Sequence, residues 1–400
     1  MIKPEIKYEL EVAHGSCYGT EEEAAVIQCL KERAPSCGKM VKQFEEAFAE
    51  FCGVQYAIAV TSATTGLTLA GVAAGIKPGD EVITTPISWV ATAMAFSVMG
   101  AQIVFCDVDR KTLNLDPEKL EALITPKTKA IVPVHLFGQC CDMDAIMLIA
   151  QKHNIPVIDD CAHAPGAEFA DRRAGSLAEM GVFSFHQQKN MSTLGEGGMV
   201  TTDSKEFFDR LLSYRSLCCR IYGESPKYLS IDEEQYPMGK KYWWLHFDDI
   251  GYNFRMTDIQ ATVGIEQLKK LQKHNEARIS LAAKLTEKLQ GINGLTLPYI
   301  HPQAKHIFHL YLLQLENDFP VPKEDFLWEL YMKRGIKGWS HYMPIHLTQP
   351  YLAQGHKVGE CPVAEEVFNR YVTLPIHPRL TDEAINYMSG CIRDLSVRTA

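Results

Sequence analysis

The sequence predicts an α/β protein in which a large domain with a mainly parallel, seven-stranded sheet is followed by a smaller C-terminal α+β domain. Three observations lead there. Between Tyr56 and Thr202 short apolar runs alternate with helical stretches of about a dozen residues, the pattern of parallel strands joined by crossover helices and covered on both faces. A single helical pattern of unusual length runs from Thr257 to Leu289, as expected of a helix that bridges domains. Beyond it the alternation gives way to isolated strand and helix candidates punctuated by proline.

In chain order, Glu21 to Lys31 has helical character. Met40 to Phe51 then places Met40, Phe44, Ala47, Phe48 and Phe51 on one amphipathic face, and Gly53 ends that helix. The strand candidates that follow are Y-A-I-A-V at Tyr56, E-V-I-T-T-P at Glu81, A-Q-I-V-F at Ala101, A-I-V-P-V-H-L at Ala130 and I-P-V-I-D at Ile155. Helices are expected from Thr64, Val90, Pro117 and Asp142 between them. Gly181 to Phe185 and Gly198 to Thr202 read as two further strands whose short connection suits an antiparallel pair. A helix from Lys205 to Tyr214 precedes a stretch, about 216–249, that lacks a period but is rich in Tyr and Trp, too aromatic for a solvated linker. Thr257 is an N-cap with Asp258 favourable to the helix dipole, and the long helix ends at Gly291. A strand at Ile307 to Leu315, a helix near Asp325 to Arg334, the loop H-Y-M-P-I-H and a closing helix begun by Thr381 complete the chain. The expected division is a large domain at 1–270, with an N-terminal arm, and a small domain at 271–400.

Composition narrows the function. With 400 residues, 46% hydrophobic and 22% charged, the chain can bury a large core without staples. A net charge of -9 without any basic run argues against nucleic acid or an anionic membrane as partner. The opening M-I-K-P-E-I-K-Y-E-L has no apolar signal core, and no segment approaches the roughly 18 continuous apolar residues of a membrane span. The twelve cysteines are scattered without a C-x-x-C, which suits reduced thiols in a cytoplasmic protein.

Four stretches carry chemistry. Thr61-Ser62-Ala63-Thr64-Thr65-Gly66 lies between a strand and a helix, so hydroxyls and free N–H groups converge at a helix N-terminus that suits an anion; its plainer reading is a simple N-cap. Neither G-K-[ST] nor G-x-G-x-x-G occurs, which favours a phosphate ligand smaller than a nucleotide. I-P-V-I-D-D-C-A-H-A-P-G places Asp159 and Asp160 at the C-terminal edge of a buried strand, where a carboxylate needs a partner such as a pyridinium nitrogen. Capping a helix would be the alternative, and no matched ligand set for a metal with His163 is evident, so no metal is expected. Trp89 follows another strand end and is placed to stack on a flat ring, although such a tryptophan also suits a core. Finally S-F-H-Q-Q-K-N-M-S-T-L-G-E-G-G-M-V sets Lys189 between an apolar strand and a glycine-rich turn in which Gly195, Gly197 and Gly198 allow a sharp backbone reversal and Glu196 shapes it.

These residues resemble the DegT/DnrJ/EryC1/StrS sugar aminotransferases among the fold-type-I pyridoxal phosphate enzymes. The resemblance runs from about Tyr18 to the C-terminus and rests on F-S-F-H-x-x-K with G-E-G-G, D-D-C-A-H-A, V-H-L-F-G at Val134 to Gly138, and G-Y-N-F-R-M-T-D-I-Q-A at Gly251 to Ala261. It implies a Schiff base between Lys189 and pyridoxal 5′-phosphate, with Asp160 on the pyridine nitrogen, His163 near the phenolic oxygen and Trp89 stacked on the ring. It further implies phosphate contacts from Ala63, Thr64 and Ser184, and from Asn253 of a second subunit in a homodimer. Ala63 stands where the family has glycine, which keeps the backbone donor, and Gln187 stands where proline is common. The stretch at 216–249 is longer than usual in the family.

The implied reaction is transamination, with glutamate or glutamine as donor and a keto-sugar as acceptor: by family default a nucleotide-linked keto-hexose of cell-surface polysaccharide (lipopolysaccharide included) or natural-product biosynthesis, alternatively a free sugar such as an 8-keto octulosonate. A desolvated lysine suits both imine exchange and proton transfer. Lys189 argues against the related sugar 3-dehydrases, which carry histidine there, and a catalytically silent binding protein of the same fold is the alternative from another class. His186, Gln187, Arg255, His341, His346 and the stretch Tyr222 to Trp244 are candidates for the substrate wall.

Overall fold

A computed structural model describes residues 5–9, 17–32, 36–221 and 245–397. Seven strands form the centre of the large domain: β1 Tyr56–Val60, β2 Glu81–Thr84, β3 Gln102–Phe105, β4 Thr128–Val132, β5 Ile158–Asp160, β6 Met180–Ser184 and β7 Gly198–Thr202. Their hydrogen bonds give one group ordered β1-β7-β6-β5 and another ordered β3-β2-β4. The parallel bridges Ile131–Val157 and Val134–Asp160 join the two groups along β4 and β5. Strand β7 runs antiparallel to both β1 and β6, while the other pairings are parallel. The strands are mostly apolar and buried, as a sheet with helices on both faces requires.

On one face, helix Lys39–Cys52 presents Phe44 and Phe48, both fully buried, to the sheet. Their rings meet Phe185 at 5.3 Å each, and Phe48 meets Phe183 edge-on at 4.9 Å. Removing either ring would cost about 3–5 kcal/mol. Gly53 in the left-handed conformation stops the helix. At its other end Asp258 accepts the N–H groups of Gly38 (2.7 Å) and Val41 (3.2 Å), so this carboxylate serves a second helix as well as its own dipole.

The long helix Asp258–Leu289 starts from Thr257, whose hydroxyl accepts the Gln260 N–H in a capping box. Leu271 packs in the large-domain core, whereas Leu281, Leu285 and Leu289 enter a separate core with Tyr311–Leu315, Lys323–Arg334, Tyr371–Leu374 and Asp382–Ser396. The buried Arg278 guanidinium between them donates to the carbonyls of Phe308 (3.3 Å), His309 (3.4 Å) and Ile376 (2.6 Å), fixing two small-domain loops to the helix. The packing is not cut at residue 270: Ile345, Tyr351, Cys361, Ala364 and Val367 return to the core of the large sheet. At the N-terminus Tyr8–Glu9 adds in parallel to Ile336–Lys337.

Several boundaries shift from the sequence reading. The strand expected at Ile307 is confined to Tyr311–Leu315, and the helix from Pro117 stops after one turn at Leu120 before a 3-10 turn. Within the long aromatic stretch, Cys219–Ile221 and Leu245–Phe247 pair as an antiparallel stem, and the candidates Tyr222 to Trp244 lie outside the described residues.

Candidate active site

The C-terminal ends of the strands open on a cavity of about 480 Å³. The large-domain side contributes Ser62, Ala63, Thr64, Ser88, Trp89, Thr92, Asp160, Ala162, His163, Ser184, His186, Gln188, Lys189 and Glu196. The small-domain side contributes His309, Leu310, Lys337, Trp339, His341, Tyr342, Ile376 and His377, with Arg278 of the long helix.

Chain geometry explains why these side chains meet. Strand β1 runs into helix Ala63–Ala73 with Ser62 as N-cap, its hydroxyl accepting the Thr65 N–H at 3.2 Å. The N–H groups of Ala63 and Thr64, in the first turn, have no carbonyl within the helix to bond. Gly198 lies against this turn: a Cβ there would meet Ser62 and Ala63 backbone atoms at 2.6–2.8 Å, so the close approach of β7 requires glycine. Gly195, at φ +113°, completes the reversal between β6 and β7.

Strand alternation divides the two adjacent aspartates. Asp160 faces the cavity, where Thr92 Oγ1 donates to Oδ2 (2.8 Å) and the Ala162 N–H to Oδ1 (3.0 Å). Because the Thr92 proton is committed, Ser88 Oγ donates to Thr92 Oγ1 at 2.8 Å. Burial raises the Asp160 pKa, against these two donors and the nearby Lys189. Asp159, fully buried, instead approaches His135 Nε2 at 3.4 Å. With Cys161 these groups bring ligand-type atoms within 4.8 Å of one another, but His135 Nδ1 already accepts the Cys141 N–H at 3.2 Å, and its Nε2 faces the Asp159 carboxylate without forming a hydrogen bond.

Lys189 sits in the tight turn after β6, its N–H donating to His186 O at 2.9 Å. Desolvation pulls its pKa down to about 8, opposed by the Asp160 carboxylate. His163 Nδ1 accepts the Phe137 N–H (3.4 Å), so Nε2 carries the proton and donates to Tyr342 Oη (3.2 Å). Burial, then Lys189 and His341, holds His163 well below the ordinary histidine range. Trp89 is 62% exposed at the cavity rim, with its ring 6.0 Å from that of Tyr342.

Of the residues singled out in the sequence, Ala63, Thr64, Trp89, Asp160, His163, Ser184, His186, Lys189 and His341 line one cavity. Gln187 does not line it, whereas its neighbour Gln188 does. Asn253 and Arg255 lie beside the end of β1, bridged to Ser216 and Val60, and do not line the cavity of their own subunit. His346 is sealed in the core with Nε2 2.9 Å from Glu365 Oε1, a structural position. Thr92, His309 and Tyr342 were not anticipated. Thr92 was within reach of pattern reading, since it stands one turn beyond Trp89 and four residues beyond Ser88. His309 and Tyr342 come from far along the chain, with no local signal to mark them.

A model of the DegT/DnrJ/EryC1/StrS aminotransferase family matches residues 16–393. The chain belongs to that family. It is a pyridoxal-phosphate-dependent sugar aminotransferase of fold type I. The chain is 38% identical over 381 residues to the spore coat polysaccharide biosynthesis protein SpsC of Bacillus subtilis, covering 94% of this chain and 95% of that one. It is 37% identical over 374 residues to GDP-perosamine synthase of Caulobacter vibrioides, covering 93% and 94%. The solved structure of S. venezuelae DesV superimposes with a TM-score of 0.87 at 30% identity, over 99% of this chain and all of that one.

The chain's own residues fit the cofactor. A buried carboxylate with two fixed donors opens on the cavity, as a pyridinium partner must, and two backbone N–H groups at a helix N-terminus suit its phosphate. Among the described residues no helix is long and apolar enough to cross a membrane, and all twelve cysteines are free.

Proposed function

We propose that this aminotransferase moves an amino group from glutamate or glutamine to a nucleotide-linked keto-hexose for polysaccharide or natural-product sugar synthesis, in the cytoplasm and as a homodimer with shared active sites. One observation carries the assignment of roles: Lys189 and Asp160 are brought into the same cavity, with the lysine pKa lowered toward neutrality by desolvation. The nucleotide-linked acceptor is supported by the likeness to GDP-perosamine synthase. Asn253 and Arg255 do not line the cavity of their own subunit, which suits a contribution to a partner's site.

In this reading pyridoxal phosphate supplies the electron sink. Asp160 holds the proton on the ring nitrogen, and Thr92 and the Ala162 N–H keep its carboxylate oriented. Ala63, Thr64 and Ser184 would hold the phosphate, Trp89 would lie against one ring face, and His163 would lie beside the phenolic oxygen. Lys189 would hold the ring, and a pKa near 8 lets its Nζ both accept and release a proton at neutral pH. His186, with Nε2 3.8 Å from Glu196 Oε1, and His341 border the space left for the sugar, and Gln188 takes the place foreseen for Gln187.

The test is direct. Purified protein with pyridoxal phosphate and L-glutamate or L-glutamine is assayed against nucleotide-linked 4-keto and 3-keto hexoses by mass spectrometry of the product. Amino-sugar formation that vanishes in Lys189→Ala is expected; protein that binds the cofactor but aminates no keto-sugar overturns the reading.

A further inference from the structure

Two histidines on the small-domain side of the cavity have their protons placed by groups outside it. The Pro165 carbonyl can only accept, so Asn275 turns Nδ2 toward it (2.8 Å) and Oδ1 toward Asn190. Asn190 Nδ2 donates to that oxygen (2.9 Å), which leaves Asn190 Oδ1 facing His309 Nδ1 at 3.1 Å. His309 Nδ1 must therefore carry the proton, and Nε2 is a bare lone pair. Asn190, Asn275 and His309 are all buried, so water does not relax this polarity. The His309 ring lies 4.3 Å from that of His163.

His341 is set in the same way by a hydroxyl. Thr373 Oγ1 donates its proton to Trp339 O (3.1 Å) and so accepts from His341 Nδ1 at 2.7 Å, leaving His341 Nε2 as a second lone pair. Burial, then Lys189, lowers His341 to about 3. Burial also drives His309 well below the ordinary range, helped by the facing His163, Lys189, Arg278 and His341. Both rings stay neutral at physiological pH, and both line the cavity.

We propose that His309 and His341 are a pair of fixed hydrogen-bond acceptors that select hydroxyl groups on the acceptor sugar, with Asn190, Asn275 and Thr373 as the residues that hold them in that state. This rests on the function proposed above. A neutral sugar ring offers hydroxyl donors to such lone pairs, whereas a carboxylate placed there meets two acceptors without a proton between them. A site built to bond a hydroxyl rejects the analogue that lacks it, because its own polar groups are then left unpaired.

The experiment has two arms. In the first, long-range ¹H–¹⁵N correlation spectra are recorded on the full chain, ¹⁵N-labelled at histidine and loaded with pyridoxal phosphate, with His309→Gln and His341→Gln assigning the signals. Both rings are expected to carry the proton on Nδ1 and not to titrate between pH 6 and 9; an Nε2 proton or a titration in that range on either ring overturns the proposal. Asn190→Asp, whose carboxylate would favour the imidazolium, is expected to bring His309 into titration. In the second arm, kcat/KM is compared for a nucleotide-linked 4-keto-6-deoxyhexose and its 2-deoxy and 3-deoxy counterparts. Loss of one hydroxyl is expected to cost about tenfold or more in the wild type, mainly through KM, and the penalty to shrink to within about threefold in His309→Phe or His341→Phe. An undiminished penalty in both variants, or none in the wild type, overturns the proposal. If no keto-sugar is aminated at all, it is the proposed function that fails, and the spectra still decide the state of the two rings.

Discussion

The two sides of the cavity are built from different materials. On the large-domain side, ionisable groups and main-chain donors lie within a continuous run of strand ends: Lys189 after β6, Asp160 at the end of β5, Ala63 and Thr64 after β1. The small-domain side is mostly aromatic, with His309, Trp339, His341 and Tyr342 held by buried neighbours in loops. Reactive charge sits where the sheet and helix termini can fix it. In the proposed reading selectivity sits on the other side, where loops can differ without disturbing the chemistry.

That contrast can be broken most severely at Lys189. Lys189→Ala should lower the transamination rate by about 10³-fold or more, while pyridoxal phosphate still binds through Asp160 and the helix N-terminus. Equilibrium dialysis beside the rate assay checks both halves. Asp160→Asn should reduce kcat by roughly 10²–10³-fold through loss of charge at the ring nitrogen, an effect of about 3–4 kcal/mol. Near-wild-type kcat in that variant would remove Asp160 from the chemistry.

A pH profile sharpens the same side. Only the neutral amine of Lys189 is nucleophilic, and its pKa is lowered from 10.5 to about 8. The rate at which cofactor-free protein captures pyridoxal phosphate, followed by stopped-flow absorbance, should rise about tenfold per unit below pH 8 and level off above it. Since the Asp160 carboxylate supports the ammonium form, Asp160→Asn should move the midpoint to lower pH. A profile flat from pH 6 to 9 would contradict the lowered pKa.

Smaller effects separate site from scaffold. Thr92→Val removes a donor that favours the Asp160 carboxylate, so cofactor affinity should fall about three- to tenfold, consistent with one hydrogen bond to a charged group. His346→Gln disturbs the contact with Glu365 away from the cavity and should lower thermal stability by about 1–3 kcal/mol, with kcat and KM within twofold of wild type. His341, five positions earlier in the same loop, should do the opposite, changing KM with little change in melting temperature.

Much of this was legible in the sequence, for physical reasons that differ by residue. Thr257 caps its helix as read because a hydroxyl before a helical run bonds the third N–H regardless of what lies beyond. Phe44 and Phe48 face the core because a spacing of four returns to one side of a helix. Lys189, Asp160, Ala63 and Thr64 share a cavity because parallel strands place their C-terminal ends along one edge. The assignments that changed lie in irregular segments, where spacing does not say which side chain reaches the cavity, as with Gln187 and Gln188.

The amino-acid sequence alone therefore determined the alternation of strands and helices, their caps, and the residues that a parallel sheet must carry to its reactive edge, since each depends on neighbours a few positions away. Only the tertiary structure decided which of His341 and His346 is sealed, and that Pro165, Asn190, Asn275 and His309 form one polar chain. Those choices join residues from 19 to 119 positions apart. Close packing and the direction of each donor settle them, and periodicity carries no record of either.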